Sequence, residues 1–159
     1  EAVGHPVDLV QANCSVSAAG VLRGIHTTIA PPGQAKYVTA VTGAFLDVVV
    51  DLRPDSPTYG TWDSVLIDDV DRRAVYLSAG LGHAILSLED RSTAMYLCSI
   101  EYLPQHDHDI DPFDPALGIE WPTTDRAGNP LEYVLSEKDS AAQSLSHARE
   151  IGVLPRWQG

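Results

Sequence analysis

A few polar side chains capable of proton transfer stand inside segments of this sequence that otherwise read as apolar strands: His26, Asp47, His83 and Tyr96. A polar group in an all-β core costs free energy unless it is hydrogen-bonded. Each of them, taken alone, is therefore more simply explained by a structural role. If their strands close into a barrel, the same side chains point into one cavity, which is the usual ligand site of that architecture.

Other sequence patterns argue against metal and phosphate-loop chemistry. His26 has no second histidine at the spacing that a cupin metal site requires, and His106–Asp109 lies in a polar, Pro-flanked segment without a partner cluster. A resemblance to a calcium loop fails because Pro112 and Gly118 stand where a Gly and a Glu are needed. The sequence has no Gly-rich phosphate loop and no Gly-x-Ser-x-Gly motif. We therefore expect no bound metal and no cofactor.

The balance of charge narrows the choice of partners. The chain has 22 acidic and 10 basic residues and a net charge of −12. A surface this acidic repels nucleic acid and anionic membranes, so neither is an expected partner. Lys36 and Lys138 are the only lysines. They are either ordinary surface residues or the lining of a local positive pocket for an anionic ligand.

Cys14 and Cys98 are too few to form a disulfide framework. Both stand among apolar or small residues, which favours buried free thiols. This predicts a protein of the reducing cytoplasm, with a single disulfide between the two cysteines as the alternative.

About eight short β-favouring segments, separated by turn-like sequences, predict an all-β sandwich or barrel, most naturally a cupin-type double-stranded β-helix, or jelly roll. The predicted strands are Val7–Ala12, Gly20–His26, two within Lys36–Arg53 that meet at Gly43, Trp62–Asp68, Ala74–Leu77, His83–Leu88 and Thr93–Ser99. Regularity is lost from Leu103 onward, except for a short C-terminal helix predicted within Ser140–Ile151. Nothing reads as a linker, so residues 1–159 are predicted to form one domain.

Motifs in a fixed order carry a family resemblance over most of the chain, from about Gln11 to Pro155. They are Gln11-Ala12-Asn13, Gly20–His26 (GVLRGIH), Pro32–Val38 (PGQAKYV), Asp47–Arg53 (DVVVDLR), Ser56–Gly60 (SPTYG), Gly82-His83-Ala84, Tyr96, Tyr102, Asp114–Pro122 (DPALGIEWP) and Leu135–Asp139 (LSEKD). Together they resemble the dTDP-4-dehydrorhamnose 3,5-epimerase family. The strings RGIH, PPGQAKY, RRAVYL and GLGHA are similar to the branch that makes deoxysugars for actinobacterial antibiotics.

The resemblance implies a metal-free cupin, usually a homodimer, that epimerises the carbons beside the C4 ketone of a TDP-linked 4-keto-6-deoxyhexose. A base must remove a proton on one face of the sugar, and an acid must return one on the other face. Family members also carry strands before the Gln-x-Asn motif, and by this comparison the chain lacks them.

The resemblance further assigns catalytic roles to four residues. His26 matches the base, because a neutral imidazole accepts a proton near pH 7, and Asp139 matches the carboxylate that orients it. Tyr96 matches the proton donor on the opposite face, since a phenol is protonated at neutral pH. Lys36 matches the cation beside the C4 oxygen, where it stabilises the developing enolate.

Eight further residues match positions that hold the nucleotide, the diphosphate or the sugar in the family. They are Gln11 and Asn13 of the nucleotide motif, Arg23 and Lys138 at the diphosphate, His83 at the substrate, Asp107 and Tyr102 near the thymine base, and Asp47 in a supporting role.

The chain departs from the family pattern next to the base, where Thr27 and Thr28 replace an aromatic residue and Gln and are expected to reshape the sugar pocket. Leu97 and Glu101 are two more departures near Tyr96 and Tyr102. Two alternative functions therefore stay open. One is a cupin 3,4-ketoisomerase on the same substrate, and the other is a non-catalytic module that binds the sugar nucleotide.

Overall fold

The computed structural model describes residues 8–157 as nine β-strands, two short α-helices and connecting loops. The strands are β1 (Gln11–Ser17), β2 (Leu22–Thr28), β3 (Lys36–Thr42), β4 (Ala44–Asp51), β5 (Trp62–Asp68), β6 (Ala74–Leu77), β7 (Leu81–Ser87), β8 (Ser92–Cys98) and β9 (Asp107–Asp109). The helices are α1 (Glu137–Ser140) and α2 (Leu145–Glu150), and a 3₁₀ turn covers Pro104–His106. None of the described helices is long and apolar enough to cross a membrane.

The strands form two antiparallel sheets that face each other. One has four strands in the order β1-β8-β3-β6, and the other has five in the order β5-β4-β7-β2-β9. Strands that follow one another in the chain frequently lie in different sheets, as in a jelly roll. The predicted all-β fold is thus confirmed.

The sequence predicts the bounds of a strand well where apolar and polar residues alternate or where a glycine marks the turn. β5 and β6 have the predicted bounds, and β3 and β4 meet at Gly43 as expected. Gly43 has a φ of 71°, and a Cβ atom there would lie 2.9 Å from the Cα of Ser92. Only glycine fits this corner, because an L side chain would be strained and would collide with β8.

The five-stranded sheet is covered on both faces. Its outer face packs against the C-terminal loops and helices through apolar side chains, whereas its inner face packs against the four-stranded sheet. Buried residues of the inner cluster are Val38, Ala40, Phe45, Ile67, Leu77, Ile85 and Ala94. This inner cluster fills only part of the space between the sheets, and polar side chains line the remainder.

Three local predictions were wrong. The first strand is Gln11–Ser17 rather than Val7–Ala12, whose first residue lies outside the described residues. The polar segment predicted as an irregular loop contains β9, which is held by backbone hydrogen bonds to β2. The short helix predicted within Ser140–Ile151 is confirmed as α2, and a separate short helix, α1, precedes it. Both cysteines are free, but Cys14 is exposed on the edge strand and only Cys98 is buried.

Candidate active site

Two adjoining cavities open between the sheets at the polar end of the sandwich, with volumes of about 320 and 110 Å³. The larger is lined by Gln11, Asn13, His26, Gln34, Lys36, Tyr96, Cys98, Tyr102, Asp107 and Lys138. The smaller is lined by Arg23, His26, Lys36, His83, Ile85 and Tyr96. His26, Lys36 and Tyr96 border both, so they mark the centre of one continuous site.

The central residues come from opposite sheets. His26 belongs to β2 of the five-stranded sheet, whereas Lys36 and Tyr96 belong to β3 and β8 of the four-stranded sheet. A flat ring between the sheets would therefore have an imidazole on one side and a phenol on the other.

A bulge in β2 turns His26 toward the cavity. The pairing register of β2 with β7 shifts between Arg23 and His26, and Gly24 within this stretch has a φ of 105°. Leu22 and Ile25 both pack in the outer core, while Arg23 and His26 line the inner cavity. Because side chains alternate along a regular strand, the four-residue separation of Leu22 and His26 would place His26 on the outer face with Leu22 if β2 had no bulge.

The imidazole of His26 is hydrogen-bonded to a carboxylate from a distant part of the chain. Its Nε2 atom lies 2.7 Å from Oδ1 of Asp139, which is 6% exposed. Ser136 caps α1, and its hydroxyl donates to Oδ2 of Asp139. The backbone N–H of Gly24 donates to Oδ1. Burial alone would raise the pKa of Asp139, but the hydrogen bonds from His26 and Ser136 and the charge of His26 lower that pKa to about 2.

A second carboxylate lies near His26 on the neighbouring edge strand. Asp109 of β9 stands opposite His26 in the β2–β9 register, and its Oδ1 is 3.7 Å from Nε2. The same oxygen is 3.0 Å from Nζ of Lys138, which also lies 2.8 Å from Oδ2 of Asp107. Burial alone would lower the pKa of Lys138, but hydrogen bonds and charge from Asp107 and Asp109 raise it above its usual value.

Asp47 and His83 form a buried pair at the inner end of the site. Nε2 of His83 lies 2.8 Å from Oδ2 of Asp47, whose side chain is fully buried. Asp47 does not line the cavity itself, but it hydrogen-bonds to His83, which does.

Desolvation by burial shifts the pKa values of both Lys36 and Tyr96. Burial lowers the pKa of Lys36, while Asp107, Cys98 and Asp47 act in the opposite direction. Burial raises the pKa of Tyr96, and the charge of Arg23 opposes this. The phenol therefore keeps its proton at neutral pH, which suits a proton donor.

The Gln-x-Asn motif anchors the rim of the cavity. The side-chain oxygen of Gln11 accepts the backbone N–H of Tyr102, and its amide donates to Asn13. Asn13 in turn donates to the sulfur of Cys98 over 3.6 Å. The backbone of Tyr102 is thereby tied to β1 at the mouth of the site, where the residue is 50% exposed.

All predicted site residues except Asp47 and Asp139 line the cavities, and those two hydrogen-bond to histidines that do. Both lysines lie there, and their role in binding an anionic ligand stays a prediction. Thr27 and Thr28 are buried and are not part of the lining.

Gln34, Cys98 and Asp109 are additions to the predicted site. Cys98 was detectable in principle, because it is two residues beyond Tyr96 and shares its strand face. Asp109 was not detectable, since its position depends on the pairing of β9 with β2.

Three potential metal-binding atoms meet within this site. His26 Nε2, one oxygen of Asp109 and one oxygen of Asp139 all lie within 4.8 Å of one another. The ammonium group of Lys138 already contacts Asp109, so a cation is supplied by the chain itself. The prediction that no metal is bound stays a prediction.

The fold and the site define a cupin-type jelly roll with a histidine–carboxylate pair facing a tyrosine across a ligand cavity. The model of the dTDP-4-dehydrorhamnose 3,5-epimerase family matches residues 1–147. The chain belongs to this family and is an isomerase of the carbohydrate epimerase type.

Relatives of known annotation agree with this assignment. The chain is 56% identical over 155 residues to the dTDP-4-dehydrorhamnose 3,5-epimerase of Mycobacterium tuberculosis, covering 98% of this chain and 75% of the relative. It is 54% identical to the dTDP-4-dehydrorhamnose 3-epimerase of Streptomyces niveus, covering 99% of this chain and 72% of the relative.

Solved structures agree as well. The rmlC epimerase of M. tuberculosis superimposes with a TM-score of 0.92 at 55% identity, over 98% of this chain and 76% of that one. NovW, a 4-keto-6-deoxy sugar epimerase from the novobiocin gene cluster of Streptomyces spheroides, gives 0.90 at 52% identity, over 98% and 75%. ChmJ, a 3'-monoepimerase from Streptomyces bikiniensis in complex with dTDP-quinovose, gives 0.91 at 50% identity, over 99% and 76%. Antibiotic-pathway enzymes are thus among the relatives, as expected.

Proposed function

We propose that this protein epimerises a TDP-linked 4-keto-6-deoxyhexose at C3, C5 or both, in deoxysugar biosynthesis. One observation carries the proposal: His26 and Tyr96 line a single cavity from opposite sheets, with Lys36 beside them. Inversion next to a ketone needs this arrangement, because the proton leaves on one face and returns on the other.

His26 is the base. Its Nε2 atom is engaged with Asp139, so the proton of the neutral ring resides on Nε2 and the lone pair of Nδ1 is free to accept the proton from the sugar carbon. The electron pair of the broken C–H bond forms the enolate, with its charge on the C4 oxygen. The anionic Asp139 stabilises the imidazolium that results.

Lys36 stabilises the enolate. Its ammonium lies among the three residues that border both cavities, where a C4 oxygen would sit between His26 and Tyr96. Its lowered pKa makes it a stronger hydrogen-bond donor to a developing oxyanion.

Tyr96 completes the inversion. Its O–H proton passes to the enolate carbon from the four-stranded sheet, opposite the face from which His26 removed one. The resulting tyrosinate regains a proton and His26 loses one to solvent, so no net proton is consumed.

The outer part of the larger cavity holds the nucleotide. A diphosphate needs local cations on a chain with a net charge of −12, and Lys138 of the larger cavity and Arg23 of the adjoining smaller cavity supply them. Tyr102, at the rim, offers a ring to the thymine base, and Asp107, Gln11 and Asn13 offer hydrogen-bonding groups. We propose TDP as the nucleotide of the substrate because ChmJ, a relative, forms a complex with the dTDP-sugar dTDP-quinovose.

Incubation with TDP-4-keto-6-deoxyglucose in heavy water tests this function. Proton NMR is expected to show deuterium at C3, C5 or both, with inverted configuration in the product. A 4-keto sugar converted to a 3-keto sugar would identify a ketoisomerase instead. Tight TDP binding without any exchange would identify a non-catalytic binding module.

We also propose that the protein works as a homodimer in the cytoplasm. The outer face of the four-stranded sheet exposes Val16, Tyr37 and Val41, and the edge strand β1 borders the same surface. The free thiols of Cys14 and Cys98 suit a reducing compartment. Light scattering coupled to gel filtration should give twice the 17.1 kDa chain mass.

A further inference from the structure

The ammonium group of Lys138 forms ion pairs with two carboxylates, although this residue lines the cavity. Asp107 Oδ2 lies 2.8 Å from Nζ, and Asp109 Oδ1 lies 3.0 Å from it. The two carboxylates alternate with His108 along β9, which places both on the same side of the strand. Their side chains are 10% and 14% exposed, whereas that of Lys138 is 48% exposed.

Asp109 differs from Asp107 in its second neighbour. Its Oδ1 is also 3.7 Å from Nε2 of His26, which is too long for a hydrogen bond but close enough for a charge to be felt. The nearby groups Asp107, Asp109 and Asp139 carry three negative charges, against two positive charges on Lys138 and Lys36 while His26 is neutral. This corner of the cavity therefore repels an anion unless Lys138 turns away from its carboxylates.

We propose that Asp109, together with Asp107, forms an acidic clamp on Lys138 that a nucleoside diphosphate must displace, so that Asp109 sets the affinity of the site for that group. The inference rests on the proposed function only in its choice of ligand. The substrate and the product of an epimerase carry the same nucleotide, so tight diphosphate binding would hold both equally and slow release of product. Such uniform binding does not accelerate the chemical step, and a clamp that weakens it favours turnover.

The variant Asp109→Asn tests the clamp because it removes the charge and keeps the shape. Titration calorimetry with TDP should show a dissociation constant at least about threefold lower than that of the wild-type chain. The KM for the TDP-sugar should fall with it. Unchanged or weaker TDP binding would overturn the proposal.

Three companion variants separate the clamp from general charge and folding effects. Asp111→Asn makes the same change of charge two residues further along, and the new amide oxygen can still accept the backbone N–H of Phe113. It should alter TDP affinity by less than about twofold, the scale of distant screened charges. Asp109→Ser repeats the test if the asparagine variant melts early, and Asp109→Glu should restore weaker binding.

A double variant decides whether Asp109 acts through Lys138. In a Lys138→Met background, Asp109→Asn should tighten TDP binding clearly less than it does in the wild-type background. Equal tightening in both backgrounds contradicts a clamp. A wild-type chain that binds TDP but does not exchange sugar protons would refute the proposed function alone, whereas failure to bind TDP would refute both.

Discussion

The two faces of the five-stranded sheet differ in the residues they carry: the outer face is apolar, whereas part of the inner face is polar. Its outer face carries Leu22, Val48, Val50 and Leu86, all with no exposed surface, packed under the C-terminal layer. Its inner face carries aliphatic residues toward one end and ionisable ones at the other. The contrast shows how a small sandwich accommodates polar groups between its sheets: most of the apolar burial lies on the opposite face.

Hydrogen bonds satisfy part of the polar end, although Oδ1 of Asp47 has no partner among the described residues. Asp139 and Asp47 each hydrogen-bond a histidine of the inner face, and Ser136 and Gly24 also donate to Asp139. Removal of a catalytic group should therefore change chemistry more than folding, and removal of an outer-face side chain should do the reverse. The following experiments test that separation, from the largest expected effect to the smallest.

His26→Ala should lower kcat by about 10³-fold or more, because it removes the base that accepts the sugar proton. The melting temperature should change little, since Asp139 keeps its bonds from Ser136 and Gly24. The exposed His147 on α2 provides the control, and its alanine variant should keep wild-type kcat. Near-normal turnover by His26→Ala would refute the role of His26.

Leu86→Ala on the outer face should reduce the free energy of unfolding by about 3 kcal/mol, through lost burial and the cavity left behind. Denaturant unfolding followed by fluorescence measures this change. Leu66→Ala on β5, where the side chain is 39% exposed, should cost less than about 1 kcal/mol. A large fall in the kcat of folded Leu86→Ala protein would show that the two faces are not independent.

Tyr96→Phe should lower epimerisation by about 10²-fold, since only the returning proton is lost. His26 still removes the first proton, so exchange of the substrate proton with heavy water should persist, and NMR of recovered substrate detects it. Loss of exchange together with turnover would contradict separate roles for the two residues.

The pH dependence of stability should show the depressed pKa of Asp139. A pKa of about 2 in the folded chain, against an ordinary 3.8, stabilises the fold by about 2 kcal/mol at pH values above the ordinary pKa. That stability should disappear as the pH falls from about 5 toward 2, because the unfolded chain binds the proton more readily. Asp139→Asn should lose less stability across this interval, and an identical loss would place the acid sensitivity elsewhere.

Local sequence pattern predicted those parts of the fold that depend on local chemistry. β5 alternates, Gly43 breaks a β-branched run, and the structure has these features where the sequence put them. The family motifs predicted residues that the structure gathers around adjoining cavities, and the roles of these residues stay predictions. The short C-terminal helix was predictable as well, because the apolar residues Leu145 and Ala148 at three-residue spacing are the buried residues of α2.

What the sequence did not reveal depends on long-range pairing. Nothing local shows that Gly24 inserts a bulge that turns His26 inward, or that a polar tripeptide forms the edge strand β9 and brings Asp109 beside the base. The exposure of Cys14 has the same origin. Its apolar surroundings suggested burial, but its side chain points away from the other sheet on an edge strand.

The hydrogen bond between His26 and Asp139 joins positions 113 residues apart. During synthesis on the ribosome, the imidazole emerges long before its carboxylate does. A nascent or proteolytically nicked polypeptide that lacks α1 would therefore be unable to epimerise sugars even if its sheets had already formed. Catalytic activity thus also reports that the C-terminal part of the chain has folded.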